Sequence, residues 1–228
     1  MKLPPLLHRW PRTTRQAIAL QQELAERIVR SGRVPNLRLA AGADVAFSRD
    51  KTTCVAGVIV WDLRAKQVVE QIVVRQPVRF PYVPGLLTFR ETPPVLAAIR
   101  RLRTVPDVFL FDGQGIAHPR RIGFAAHTGL LLDQPAIGCA KSRLIGDYQE
   151  PGWQRGESSP LIDREEIVGS VLRTRDHVKP LFISIGHCIS LPEAKRIVLA
   201  CCNGCRVPEP TRLADILVAR AKTDPDLG

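Results

Sequence analysis

Val108-Phe-Leu-Phe-Asp112-Gly-Gln-Gly115-Ile-Ala-His118-Pro-Arg-Arg121 is an apolar run that ends abruptly on a carboxylate. Val108 to Phe111 has no polar alternation, which predicts a short strand covered on both faces, in the middle of a sheet rather than at its edge. Asp112 then stands at the strand's carboxyl end, where open α/β sheets bind ligands. Gly113 and Gly115 allow the backbone to approach whatever Asp112 holds. Pro119 suits the first turn of a helix, so the sequence predicts a helix from His118 to about Asp133. His118 then falls beside an N-terminus that favours an anion such as phosphate, with Arg120 and Arg121 adding charge. Taken alone, the Asp-Gly-x-Gly piece also fits a plain strand, a glycine turn and a solvated helix start, so other stretches must decide.

Working outward, Leu37 to Asp44 has a period of two, with Leu37, Leu39, Ala41 and Ala43 on one strand face and Gly42 and Asp44 on the other. Cys54 to Trp61 and Val68 to Val74 are nearly continuous apolar runs separated by Arg64-Ala-Lys66, which completes an antiparallel meander. Phe80-Pro-Tyr82-Val-Pro-Gly85 breaks the pattern, because proline fixes its own φ and extends the residue before it. Tyr82 is therefore displayed on a stiff loop, and Glu91 hangs at the start of a helix expected from Val95 to Arg103. Ala136 to Ala140 reads as a strand ending at Lys141. Asp147 to Pro160 reads as a surface loop of no legible role, with Trp153 partly covered. Ile167 to Leu172 and Leu181 to Ile185 read as paired strands, followed by helices from Pro192 to Cys201 and from Pro210 to about Ala221. Thr13 to Arg30 reads as an amphipathic helix clamping the outside of the sheet. The order of elements predicts an α/β domain with a central mixed sheet flanked by helices, a single domain over 1–228 with 1–35 as an N-terminal helical extension.

The 33 Lys and Arg against 22 Asp and Glu give a net charge of +11, which points to a polyanionic partner, nucleic acid first. No apolar run is long enough to span a bilayer, and the early prolines spoil a signal core, so a soluble cytoplasmic protein is expected. Six cysteines are too sparse for a disulfide scaffold. Cys54, Cys139 and Cys188 lie in apolar runs and read as reduced core thiols. Cys202-Asn-Gly-Cys205 has the spacing of half a zinc site with no second half to complete it, and Cys201 joins it without a role.

Asp44 lies on the first strand, Glu91 at a helix start and Asp112 at the end of the buried strand. If the first and fourth strands are neighbours, two carboxylates converge there, and they repel unless a hard cation such as Mg²⁺ neutralises them. Spacing alone also fits three unrelated surface acids. The blocks Gly42-Ala-Asp44, Phe80-Pro-Tyr82-Val-Pro-Gly-Leu-Leu-Thr-Phe-Arg-Glu91, Phe111-Asp-Gly-Gln-Gly-Ile-Ala-His118-Pro-Arg-Arg121, Ile137-Gly-Cys-Ala-Lys141 and Pro208-Glu-Pro-Thr-Arg-Leu-Ala-Asp215 together resemble endonuclease V, over most of the chain from Ala41 to Asp215. The resemblance implies an RNase H-like fold and a Mg²⁺-dependent nuclease, with Mn²⁺ able to substitute. Its expected substrate is DNA containing deaminated bases, chiefly hypoxanthine in deoxyinosine, nicked at the second phosphodiester 3′ to the lesion to leave 3′-OH and 5′-phosphate ends. It implies metal-binding acids at Asp44, Glu91 and Asp112, with Asp215 a further acid, and a catalytic lysine at Lys141. It implies a wedge formed by Pro81, Tyr82, Val83 and Pro84, DNA contacts at His118, Arg120 and Arg121, and a lesion pocket at Gly113 and Gly115. His127 also matches, as a phosphate-positioning or structural group. Val83 in the wedge and Gln114 in the glycine turn depart from the family's commonest pattern. Inosine in RNA, and nucleic-acid binding without catalysis, are the alternatives.

Overall fold

The computed structural model describes every residue except 225 and 228. One eight-stranded mixed sheet organises it: β1 (Leu39–Phe47), β2 (Thr53–Asp62), β3 (Gln67–Pro77), β4 (Val108–Phe111), β5 (Ala136–Ala140), β6 (Ser158–Asp163), β7 (Glu166–Leu172) and β8 (Leu181–His187). The spatial order is β3-β2-β1-β4-β5-β8-β7-β6. β1, β4 and β5 run parallel, and every other pairing is antiparallel. The four residues of β4 are fully buried at the centre of this order, because an apolar strand without alternation is stable only when both faces are covered.

Five helices cover the faces: α1 (Thr14–Ala25), α2 (Thr88–Arg101), α3 (Phe124–Leu132), α4 (Leu191–Cys201) and α5 (Glu209–Thr223). Alternate residues of β1 and β4 feed different cores. Ala41, Ala43, Phe109 and Phe111 pack with Val95 and Ile99 of α2 and Leu131 of α3, while Ala40, Val108 and Leu110 pack with Ile197 and Val198 of α4 and Leu24 of α1. Thr13 caps α1 in a reciprocal capping box with Gln16, which satisfies two otherwise unpaired amides.

Three expectations about elements need correction. The segment after Asp112 is not helical from His118: Arg121 adopts a left-handed φ of 57°, which ends any helix there, and α3 starts at Phe124 behind Gly123. α2 begins at Thr88 rather than Val95 and runs through Pro93 and Pro94, so Glu91 projects from its first turn. Ser158 to Asp163 forms the edge strand β6, where Pro160 is tolerated because one side of an edge strand needs no ladder partner. All six cysteines are free, with Cys188 only half-buried.

Candidate active site

Ala43 pairs with Phe111 across β1 and β4 in parallel register. Asp44 and Asp112 therefore leave adjacent strands side by side, with backbones about 4.8 Å apart. Asp215 reaches them from α5 because β1 presents Gly42 beneath that helix: a Cβ there would lie 2.2 Å from the backbone of Pro210. Lys141, one residue past β5, places Nζ 2.6 Å from Asp112 Oδ2 and 3.5 Å from Asp215 Oδ2. Glu91 arrives from α2. All five groups singled out in the sequence thus meet at one end of the sheet.

Their electrostatics show what the fold holds against its own preference. Burial, followed by the charges of Asp112 and Asp215, pushes Asp44 up to about 6, partly offset by the Val45 amide and by Lys141. Burial, then Asp44 and Asp112, pushes Glu91 up to about 8. Lys141 is raised despite burial, through its hydrogen bond to Asp112 and the charges of Asp215 and Asp44. A set of hard oxygen donors that repel one another fits a divalent cation such as Mg²⁺, which takes carboxylates together with phosphate oxygens. Among the described residues, one set of three Asp, Glu, His or Cys side chains has ligand atoms all within 4.8 Å of one another: Asp133, His187 and Cys188. It does not suit a metal. The Val29 amide donates to His187 Nδ1 at 3.2 Å, so the neutral ring keeps its proton on Nε2, the atom facing Asp133 at 3.6 Å.

Beside the acids lies a cavity of about 400 Å³ lined by Tyr82, Pro84, Gly85, Thr88, Asp112, Gly113, Gln114, Phe124 and Lys141, among others. Tyr82 is 69% exposed on a loop fixed from below at Gly85, whose φ is 76°. Its carbonyl accepts from His118 Nε2 at 3.0 Å, Arg120 Nη2 at 2.7 Å and Gln21 Nε2 at 3.1 Å. The Arg120 amide donates to His118 Nδ1, which fixes the proton on Nε2. Burial and then the neighbouring Arg120 hold His118 down to about 4.

Several residues singled out in the sequence have partners within the chain. His118 and Arg120 anchor the Tyr82 loop, and Arg121 is held in ion pairs with Asp163 and Glu166 at 2.7 Å each. Gly113 lines the cavity, whereas Gly115 lies against β8, where a Cβ would fall 2.0 Å from Ile185 O, and its amide donates to Ser184 Oγ. His127 is buried among Trp10, Phe89 and His8, away from solvent and from any phosphate. Two contributors were not anticipated. Gln21 of α1 holds Gly85, Ile122 and Arg120 together, and Arg206 donates from Nη2 to the carbonyls of Lys141 and Pro180 at 2.8 Å. A glutamine on the apolar face of α1 was the only signal for the first. The second carried none, because its partners are backbone atoms distant in sequence.

A mixed sheet with carboxylates side by side on its central parallel strands, a lysine among them and a basic chain around them defines an RNase H-like nuclease. The family model of endonuclease V matches residues 22–216, and the chain belongs to that family. A curated endonuclease V from Nostoc punctiforme is 48% identical over 213 residues, spanning 93% of this chain and 96% of that one. The crystal structure of endonuclease V from Streptomyces avermitilis superposes with a TM-score of 0.90 at 42% identity, covering 95% of this chain and 96% of the other. That of Ciona intestinalis endonuclease V, in complex with a DNA containing an inosine followed by a ribo-adenosine, gives a TM-score of 0.83 at 28% identity, covering 93% and 98%.

Proposed function

We propose that this chain is a Mg²⁺-dependent repair endonuclease of the cytoplasm that nicks DNA at the second phosphodiester 3′ to deoxyinosine, leaving 3′-OH and 5′-phosphate ends. The observation that carries the reading is the pairing of Asp44 with Asp112 across β1 and β4, joined by Lys141 and opening beside a cavity under Tyr82. The Ciona intestinalis relative bound to inosine-containing DNA supports the substrate class.

Asp44, Asp112 and Glu91, with Asp215 alongside, would hold the metal, and Mn²⁺ would substitute for Mg²⁺. When bound, such ions activate water and stabilise the leaving oxygen of a phosphodiester. Lys141 stands where a scissile phosphate would lie against Asp112, and its raised affinity for protons keeps it cationic to neutralise charge there. Tyr82 supplies a stiff ring that enters the helix in place of a displaced base, offsetting part of the unstacking cost of a few kcal/mol. Gly113 contributes backbone to the wall of the cavity that receives the flipped base, where it lies between Asp112 and the Phe124 ring.

The test is cleavage of matched DNA and RNA oligonucleotides carrying one inosine, in Mg²⁺ or EDTA. The expected result is a Mg²⁺-dependent nick at the second phosphodiester of the DNA. Preferential cleavage of the RNA would make the chain an inosine-specific ribonuclease, and binding without cleavage of either would reduce it to a nucleic-acid-binding protein.

A further inference from the structure

Tyr82 and Trp153 are the exposed tyrosine and tryptophan among the described residues, at 69% and 59%. Tyr82 belongs to the site above. Trp153 belongs to nothing described so far, yet the chain devotes its largest fully buried side chain to it. Arg173, 1% exposed, follows β7 and directs its guanidinium into the 150–157 loop. Nε donates to Gly152 O at 2.8 Å, Nη2 to Pro151 O and Glu150 Oε1 at 2.9 Å each, and Nη1 to Val178 O. Its guanidinium carbon lies 4.8 Å from the centre of the Trp153 ring. The His177 ring stacks beside Trp153 at 6.2 Å and 20°, and the His177 amide donates to Trp153 O at 3.0 Å. A tryptophan that only filled a gap would be turned inward; this one is held outward by a buried, fully bonded arginine.

The loop sits at the same end of the sheet as the acids. β8 is antiparallel to β5 and β7 to β8, so the end of β7 and the start of β8 lie level with Lys141 and Asp112. The connection is direct. Thr174 Oγ1 donates to Arg206 O at 2.6 Å, and Arg206 donates to both Pro180 O and Lys141 O. From β4 to β7 is three strand spacings, about 14 Å, or roughly four steps along one strand of B-form DNA. Arg155, Arg175 and Lys179, close in sequence to Trp153 and His177, are exposed, with Arg155 Nη2 donating to Leu199 O at 2.7 Å. Of the nearby acids, Glu150 is engaged by Arg173, Asp176 by the Arg155 amide and Glu157 by the Gln154 amide.

We propose that Trp153 and His177 form a second nucleic-acid contact, a stacking platform for an unpaired base of the bound strand about four nucleotides from the catalytic acids. This rests on the nucleic-acid reading of the site. Every base has a π-face, so such a contact adds affinity without sequence preference. It gives the basic chain a grip outside the lesion.

The experiment is single-turnover cleavage in Mg²⁺ of inosine duplexes carrying single-stranded flanks lengthened separately on the 5′ and 3′ sides, by wild type, Trp153→Ala and Trp153→Phe. For wild type, the half-saturating enzyme concentration should drop in a step once one flank passes about four nucleotides. Trp153→Ala should lose that step, requiring about tenfold more enzyme on the long substrate, with unchanged maximal rate and wild-type behaviour on the short one. Trp153→Phe should keep most of the step. Equal losses on short and long substrates, or none on the long one, would overturn the platform. Anisotropy with lesion-free oligonucleotides of the same lengths reads the same step without cleavage, so failure of the nuclease reading is distinguishable from failure of the platform. Thermal melts of both variants separate a misfolded loop from a missing ring.

Discussion

Helix α2 carries two groups of buried polar side chains within its first two turns, and they are built on opposite principles. Glu91 points to Asp44 and Asp112, where burial and like charge raise two carboxylates far above their ordinary range. Thr88 and Thr92 enter a hydrogen-bond chain whose direction can be followed atom by atom. His8 Nδ1 donates to Arg9 O, so His8 Nε2 accepts from His127 Nε2 at 2.8 Å. His127 Nδ1 in turn accepts from Thr88 Oγ1, whose own partner is Thr92 Oγ1, which meets Thr128 Oγ1 at 2.9 Å. Every group in the second cluster is neutral and bonded, and it ties the N-terminal segment to α2 and α3. The first cluster is left in conflict. A satisfied buried network adds rigidity, whereas an unsatisfied one is strain that only a ligand relieves.

The largest expected effect breaks the first cluster. Asp112→Asn or Asp44→Asn should lower nicking of inosine DNA by about 10³-fold or more, equivalent to a loss of about 4 kcal/mol in the barrier. Lesion binding should survive, because Tyr82 and the basic surface are untouched and asparagine keeps the shape of the cavity wall at Asp112. Cleavage assays paired with gel shifts read both quantities, and a variant that still nicks at the wild-type rate would dissolve the site.

The second cluster should answer to acid. Burial, and then the neighbouring His8, hold His127 down to about 3, against 6.5 in an open chain. As pH falls below 6.5 the unfolded chain therefore takes up the proton first. The stabilisation from neutral His127 is complete above 6.5 and disappears as pH approaches 3. The loss should be roughly 2–3 kcal/mol between pH 6.5 and 4.5, at about 1.4 kcal/mol per unit. Urea melts across that range should slope downward for wild type and less steeply for His127→Phe; parallel slopes would remove His127 as the cause.

What the sequence disclosed follows the same division. The buried strand 108–111, the strand carrying Asp44 and the stiff Tyr82 loop were readable because periodicity and proline act locally, whereas the parallel pairing of the two strands was only a condition of the argument. The convergence of Asp44, Glu91, Asp112, Asp215 and Lys141 was readable through motif order. The intramolecular partners of His118, Arg120 and Arg121 were not, because a basic residue near a glycine turn gives no local sign of a distant carbonyl or carboxylate. β6 was obscured by Pro160 and by polar positions that only an edge strand tolerates. The Thr88–His127 chain joins residues 39 apart and left no local pattern.

Tyr82 lies between the two clusters, since its loop is anchored through Gly85 rather than through the acids. Tyr82→Ala should weaken binding of paired inosine about tenfold, within the 1–3 kcal/mol typical of a lost stacking contact. Inosine in a single strand or beside a mismatch needs less unstacking and should suffer less. Single-turnover cleavage of paired and unpaired substrates, with melts as a folding control, separates a wedge from a packing residue: equal losses on both would return Tyr82 to packing.

The smallest effect sharpens the comparison most, because it reverses the usual sign of a mutation. In metal-free buffer burial, and then the charges of neighbouring carboxylates, hold the folded pKa of Asp44 and of Glu91 above its ordinary value. As pH rises above about 4.5 the unfolded chain ionises first, so these acids reduce stability progressively up to about pH 8. Asp44→Asn removes one of the repelling charges while keeping the shape of the side chain. It should therefore raise the stability of the metal-free protein at pH 7 by about 1 kcal/mol, or roughly 2–4 °C in Tm for a chain of this size. Mg²⁺ should raise the Tm of wild type and have much less effect on the variant, since the ion relieves the repulsion that the substitution has already removed. A metal-free Asp44→Asn protein less stable than wild type would mean that the carboxylate is satisfied as it stands, and the contrast between the two clusters on α2 would fail.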